Sequence, residues 1–272
     1  MSTPRLHAER LIDGPPGATP LILLHGFTGD TTTWSSLVPH LGADRPALAI
    51  DLVGHGRSDA PDDPAAYTMP ATVAAVVKTL TDLGIPRAHW LGYSMGGRVA
   101  LSLAVAHPEA VASLMLVGTS PGITDPAASA ERVAADTALA GLIEQAGVET
   151  FVDRWMAQPL FASQARLGAD DLARARAQRL RNRPHALAHT LRGLGTGAMR
   201  PLWDRLADVR APSLLIAGEL DPKFRAVADD MAARLPHAEV AVISCAGHAV
   251  HAEAPHALGA AIRVFLERVD PL

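Results

Sequence analysis

Short, continuous apolar runs recur along the chain, with helically spaced stretches between them. Pro20-Leu21-Ile22-Leu23-Leu24 and Pro46-Ala47-Leu48-Ala49-Ile50 come first, then Ala88 to Leu91, Ala112 to Val117 and Pro212 to Ala217. Runs of this length without polar alternation are expected of strands buried on both faces of a parallel sheet. Glu239 to Ile243 reads as a further strand. Helical spacing of apolar residues predicts helices over Thr31 to Leu41, Tyr67 to Leu83, Phe224 to Leu235 and about Ala254 to Val269. Strand and helix thus alternate, and that rhythm predicts a mostly parallel, doubly wound α/β sheet.

The rhythm breaks once. From Pro121 to about Arg205 no strand is predicted, and the segment is rich in Ala, Arg, Leu and Gln with helical periodicity. Pro126, Pro159, Pro184 and Pro201 are expected to cut it into several short helices. The expected organisation is a core made of 1–120 and 206–272, with 121–205 inserted as a helical cap.

The strand ending near Leu91 runs into Gly92-Tyr93-Ser94-Met95-Gly96-Gly97-Arg98, and Val99 to Ala104 beyond it reads as helix. Strand, sharp turn and helix around Gly-x-Ser-x-Gly are the pattern of a nucleophile elbow. The turn strains the serine's backbone, and side-chain-free neighbours make room for it. Ser94 then projects above the sheet, and the Met95 amide points at an oxyanion forming there. The alternative is a glycine-rich turn with an ordinary serine; the motifs upstream and downstream argue against it. Upstream, His25-Gly26-Phe27-Thr28-Gly29 follows the first buried run, where a His-Gly loop turns a second amide, here that of Phe27, toward the nucleophile. His25 itself, like Asp51 and His55 in the turn Asp51 to Ser58, is read as structural. Downstream, Gly218-Glu219-Leu220-Asp221-Pro222 and Gly247-His248-Ala249-Val250-His251 offer an acid and a base. Asp221 is preferred to Glu219 because it stands two residues further out, where a side chain reaches over the sheet edge. His248 is preferred to His251, which would face elsewhere if the closing segment turns into helix.

Composition narrows the classes. A chain of 272 residues, 49% hydrophobic, can bury a full core. Its net charge of −4 leaves no basic footprint for nucleic acid. With Cys245 as the single cysteine, no intrachain disulfide forms. The first residues lack the apolar run of a signal peptide, and no stretch approaches the roughly 18 apolar residues that span a membrane. A cytoplasmic protein without membrane contact is expected, as a monomer or small homo-oligomer. No metal motif, paired cysteines or phosphate loop is present, so no metal and no cofactor are expected.

Ser94, Asp221 and His248 follow the chain order of the α/β-hydrolase triad, and the resemblance covers nearly the whole chain. It goes further. Gly92 to Ala100, Ser120-Pro121-Gly122-Ile123 with Ala130-Glu131-Arg132, Trp155 to Ser163, Gln178 to Asn182, Leu191 to Gly197 and Gly218 to Phe224 resemble the 2-succinyl-6-hydroxy-2,4-cyclohexadiene-1-carboxylate synthases of menaquinone biosynthesis. Two departures bear on substrate selectivity: Leu220 stands where that family usually has arginine, and Met199 lies where glutamine is common.

This resemblance implies a lyase. The family abstracts a substrate proton, which triggers loss of pyruvate and leaves a conjugated cyclohexadiene. It implies Ser94 as base with His248 and Asp221 behind it, and Phe27 and Met95 amides holding enolate charge. A substrate with several carboxylates calls for guanidinium forks. The resemblance points to Arg98, Arg132 and Arg179 for these, with Tyr93 and Trp155 shaping the pocket and Arg181 the substitute for Arg179. Ordinary solvated residues are the alternative for the cap arginines, and cap core for Trp155. A carboxylesterase or C–C hydrolase is the competing enzyme reading, and a non-catalytic receptor on the same scaffold the third.

Overall fold

The structure, a computed structural model, describes residues 3–271. In chain order it contains β1 (Ala8–Ile12), β2 (Leu21–Leu24), β3 (Ala47–Ile50), α1 (Met69–Asp82), β4 (Ala88–Tyr93), α2 (Met95–Ala106) and β5 (Val111–Val117). Then follow α3 (Pro126–Met156), α4 (Ala169–Leu180) and α5 (Pro184–Leu194), and after them β6 (Ser213–Gly218), α6 (Pro222–Ala232), β7 (Ala238–Ile243), α7 (Val250–Glu253) and α8 (Pro255–Val269).

Alternation along the apolar runs sends side chains to two separate cores. Ile22, Leu24, Leu48, Ile50, Trp90 and Leu114 join α1, α2 and α6 on one face. Leu21, Leu23, Ala49, Leu91, Met115 and Ile216 join Trp34, Leu37 and α8 on the other. Helices therefore cover both faces, and no polar alternation is needed. The sheet has seven strands in the order β1-β3-β2-β4-β5-β6-β7, all parallel except β1. The chain winds outward from β2 in both directions, which brings the ends of β2, β4, β5 and β6 to one edge.

Three features differ from the sequence expectation. β1, unread in the sequence, pairs antiparallel with β3 across a bulge near Ile12, and its residues are at most half-buried. Thr31 to Leu41, expected as one helix, forms two single 3₁₀ turns, Thr31–Trp34 and Val38–His40. Asp30 caps the first through the Thr32 amide, and Pro39 sits in the second. The first helix of the insertion is also longer than expected, at 31 residues. Pro126 and Pro184 begin helices, as proline does without losing a bond at the first turn. The break in α3 comes instead at Gly147, with φ 81°.

Among the described residues, no strand lies between β5 and β6. Ala140, Ile143, Phe151, Val152, Leu187 and Leu191 from α3 and α5 form their own small core over the sheet edge. A 3₁₀ turn, Trp203–Asp208, straddles the expected boundary at 205. Among the described residues, no helix is long and apolar enough to cross a membrane.

At the opposite edge the chain end is tied down. Asp270 accepts from His89 Nε2 at 2.9 Å and from Arg45 Nη1 at 3.2 Å, while His89 Nδ1 meets Ser113 Oγ at 2.8 Å. Burial alone would raise the Asp270 pKa, but His89 and Arg45 outweigh it and hold it below the ordinary carboxylate value. A depressed carboxyl stabilises the fold above its unfolded pKa and loses that contribution as pH falls through the folded one. Asp270→Ala is expected to cost about 1–2 kcal/mol at neutral pH, discounted for partial exposure. Urea unfolding should show that deficit shrinking in acid.

Candidate active site

Ser94 stands between β4 and α2 with φ 50° and ψ −107°, a conformation a serine holds only when its surroundings impose it. They do so by close approach. A Cβ on Gly92 would lie 2.5 Å from the Gly97 Cα, and one on Gly96 would strike the Leu24 and His25 carbonyls. The Ser94 amide donates to the Val117 carbonyl at 2.8 Å, and its carbonyl accepts from the Arg98 amide at 3.1 Å. The hydroxyl is left facing a cavity.

His248 Nε2 lies 3.2 Å from Ser94 Oγ, and His248 Nδ1 lies 2.8 Å from Asp221 Oδ2. Both residues are buried. The imidazole is wedged between the Phe224 ring, 4.6 Å away, and Tyr93, 5.4 Å away. Asp221 is fixed by its second oxygen, which accepts from the Phe224 amide and caps α6. The competing candidates point elsewhere. Glu219 accepts from the Cys245 amide. His251 stacks on Tyr93 at 4.3 Å, away from Ser94, and burial with the nearby Arg179 and His248 charges pushes its pKa down to about 3.

Phe27 and Met95 line the cavity with Ser94. Met95 opens α2, so its amide has no helical acceptor. Neither amide donates to a protein acceptor among the described residues. The loop behind Phe27 is braced by two buried imidazoles. His25 Nε2 accepts from the Leu52 amide and its Nδ1 donates to the Gly26 carbonyl. Desolvation lowers the pKa of both, that of His55 to about 3, so both serve as neutral struts.

The cavity measures about 670 Å³ and is lined by Tyr93, Trp155, Phe161, Arg98, Arg132 and Lys223 besides the groups above. Arg98, one turn past Ser94, is 8% exposed and bonds only neutral atoms: the Leu194 carbonyl at 2.5 Å and the Met199 sulfur at 3.8 Å. Burial and the Arg132 charge take its pKa down to about 10, so it stays cationic at neutral pH. Arg132 Nε donates to both Asp136 oxygens at 2.9 Å, leaving its outer nitrogens without a hydrogen-bond partner among the described residues. Burial raises the Asp136 pKa against the pull of both arginines.

Arg179 does not join them. It lines an adjacent cavity of about 340 Å³ with His251 and Gln178, while Phe27 and Tyr93 border both spaces. The last turn of α4 carries it to the far side of Tyr93; its Nη1 donates to the Ala175 carbonyl, its Nε has no partner, and burial lowers its pKa. Arg181, the substitute, is engaged with Asp30. Trp155 does face the main cavity, with its indole N–H unpartnered. Of the two departures from the resembling family, Leu220 is 48% exposed and lines neither cavity, whereas Met199 sits directly on Arg98.

Sequence reasoning missed Asp136, Lys223 and Gly118. Asp136 had a visible signal, four residues after Arg132 on one helix. Lys223 follows Asp221 by two. Gly118 had none: it adopts φ 55°, and a Cβ there would lie 2.8 Å from His248 Cε1.

Residues 19–255 match the family model described as the alpha/beta hydrolase fold. Together with the seven-stranded sheet and the elbow, this places the chain in the α/β-hydrolase fold family. A Bacillus subtilis (strain 168) protein provisionally named as a 2-succinyl-6-hydroxy-2,4-cyclohexadiene-1-carboxylate synthase is 38% identical over 257 residues, 94% of this chain and 93% of its own. The synthase of that name from Salmonella agona is 34% identical over 92% of this chain and 94% of its own. The solved structure of MenH from S. aureus superposes with a TM-score of 0.89 at 33% identity, covering 99% of both chains. Within the fold, the chain belongs to the 2-succinyl-6-hydroxy-2,4-cyclohexadiene-1-carboxylate synthase family.

Gly118→Ala is expected to keep the fold yet lower turnover by about 10²-fold, because displacing a reacting group by about 1 Å has that cost. Circular dichroism with single-turnover kinetics checks it.

Proposed function

We propose that this chain is the lyase its family name describes: it removes a proton from a cyclohexene substrate carrying several carboxylates and expels pyruvate. Residues 121–205 act as the cap over a core of 1–120 and 206–272. The observation that carries the reading is Arg98, a buried guanidinium beside Ser94 held only by neutral acceptors, with Arg132 on the same cavity wall. Asp136 bonds Arg132 and reaches Arg98 only through space, so the buried Arg98 lacks a hydrogen-bonded carboxylate, a costly arrangement that a carboxylated substrate relieves on binding. An acyl pocket for a neutral ester gains nothing from it.

The proposed chemistry uses these groups in turn. His248 takes the Ser94 proton across 3.2 Å, and Asp221 holds the imidazole tautomer and stabilises its charge. The Ser94 oxygen removes the acidic C–H proton. The electron pair moves onto the adjoining carbonyl oxygen as an enolate, which the Phe27 and Met95 amides stabilise. Re-formation of the carbonyl carries electrons into the ring, the C–O bond breaks, and pyruvate leaves as its enolate. His248 returns the proton. Donors that a hydrolase aims at a tetrahedral intermediate thus serve a planar one, and Tyr93 and Trp155 hold the ring against them. Arg179 is proposed as a further carboxylate contact, reached from the adjacent cavity past Tyr93.

Ser94→Ala is expected to lower pyruvate release by at least about 10³-fold in a folded protein. Near-native turnover in that variant would overturn the reading. Arg98→Ala and Arg132→Ala are each expected to weaken use of the carboxylated substrate by about 2–4 kcal/mol. Hydrolysis of p-nitrophenyl acetate by the same variants should hardly change.

A further inference from the structure

The loop that carries the Phe27 amide is held from the cap as well as from the sheet. Gly29 N closes a turn onto the Gly26 carbonyl at 3.0 Å, and inside it Thr28 adopts φ 69°. A β-branched residue stays in that left-handed region only under constraint. From the sheet side, His55 Nε2 receives the Thr28 amide at a long 3.4 Å. From the cap side, Asn182 Nδ2 donates to the Thr28 carbonyl at 2.9 Å. Two residues on, the nearly buried Asp30 carboxylate accepts from Gln178 Nε2 at 2.7 Å and from Arg181 Nη2 at 2.6 Å. Burial pushes the Asp30 pKa up, but its bonds from Thr32, Gln178 and Arg181 prevail and keep it ionised. The Phe27 ring itself stands edge-on against Trp155 at 5.3 Å and Phe151 at 6.0 Å, both on α3.

We propose that Asp30, Gln178 and Asn182 are positioning residues: a latch between the end of α4 and the oxyanion loop that sets the aim of the Phe27 amide by the seating of the cap. The inference rests on the reading of Phe27 as an oxyanion donor. The cap also carries Arg132 and Arg179, so the groups that meet carboxylates and the donor that meets the enolate share one reference body. With the latch released, Thr28 relaxes toward ordinary backbone geometry and takes the neighbouring Phe27 with it, while Arg98 and the Ser94 hydroxyl stay where they are.

The test uses the full chain with Asn182→Ala, Gln178→Ala and Asp30→Asn. It measures kcat and KM on the carboxylated substrate, p-nitrophenyl acetate hydrolysis, and affinity for an aryl boronic acid, whose tetrahedral anion on Ser94 needs the oxyanion donors. The latch predicts that kcat, ester hydrolysis and boronate affinity fall together by about tenfold or more in Asn182→Ala and Asp30→Asn, with KM changed by less than about threefold. A lowered melting temperature with all three unchanged overturns it, as does a rise in KM alone. Asn182→Ala, altering a half-buried turn residue, decides the matter if Asp30→Asn does not fold. Full turnover in Ser94→Ala would overturn the catalytic reading itself. Wild-type levels of all three in the latch variants, with Ser94→Ala inactive, would overturn the latch alone.

Discussion

The tight contact of α2 on the sheet is the constraint from which the site follows. Gly96 lies against the carbonyls of Leu24 and His25, and Gly97 against Gly92 and Thr119, with no room for a Cβ at either. Only at that distance does the chain turn sharply enough to leave Ser94 at φ 50°. The same approach presses the start of α2, with its free Met95 amide, against the loop that carries Phe27. It also sets Arg98, one turn further, at the cavity's inner wall. The turn at Ser94, the acceptor-free Met95 amide beside the Phe27 loop and the place of Arg98 on the cavity wall are therefore consequences of a single packing contact.

Buried groups around Ser94 divide into those kept neutral and those kept ionised. His25, His55 and His251 are buried and kept neutral by desolvation, so the imidazoles near the site other than His248 contribute struts rather than charge. Fixed charges of both signs line the cavity, Arg98, Arg132, Lys223 and Arg234 together with Asp125, Asp204 and Asp230. Arg98 and Arg132 face the cavity with Asp136 between them, which lets two cations stand together in an empty site without full mutual repulsion.

The sheet and the elbow were legible in the sequence because burial on both faces and the Gly-x-Ser-x-Gly turn are local signals. β1 was not: its five residues, Ala8 to Ile12, mix Glu9 and Arg10 with apolar positions, and only pairing with β3 makes them a strand. Thr31 to Leu41 has helical apolar spacing, yet the Asp30 cap and Pro39 favour short 3₁₀ turns, which spacing does not distinguish from α-helix. At the site, chain order singled out Ser94, Asp221 and His248, which the fold brings into one hydrogen-bonded series. The arginines were harder. Arg98 is tied to Ser94 by helix geometry, but Arg179 reaches its place through the path of the whole cap, and a shift across one tyrosine moves it to a different cavity.

Two neighbouring cavities sharing Phe27 and Tyr93 pose a physical question that the charges help to answer. The Phe27 ring packs on Phe151 and Trp155 of α3 while its loop is bonded to His25 and His55, so its position is fixed from two sides. Tyr93 stacks between His248 and His251, bordering both spaces while held on both sides. A substrate long enough to meet Arg98 and Arg179 must pass these two residues, whereas one meeting Arg98 and Arg132 need not. Met199 weighs on the same choice. As a thioether it offers the Arg98 guanidinium a weak acceptor where an amide oxygen would compete strongly for it.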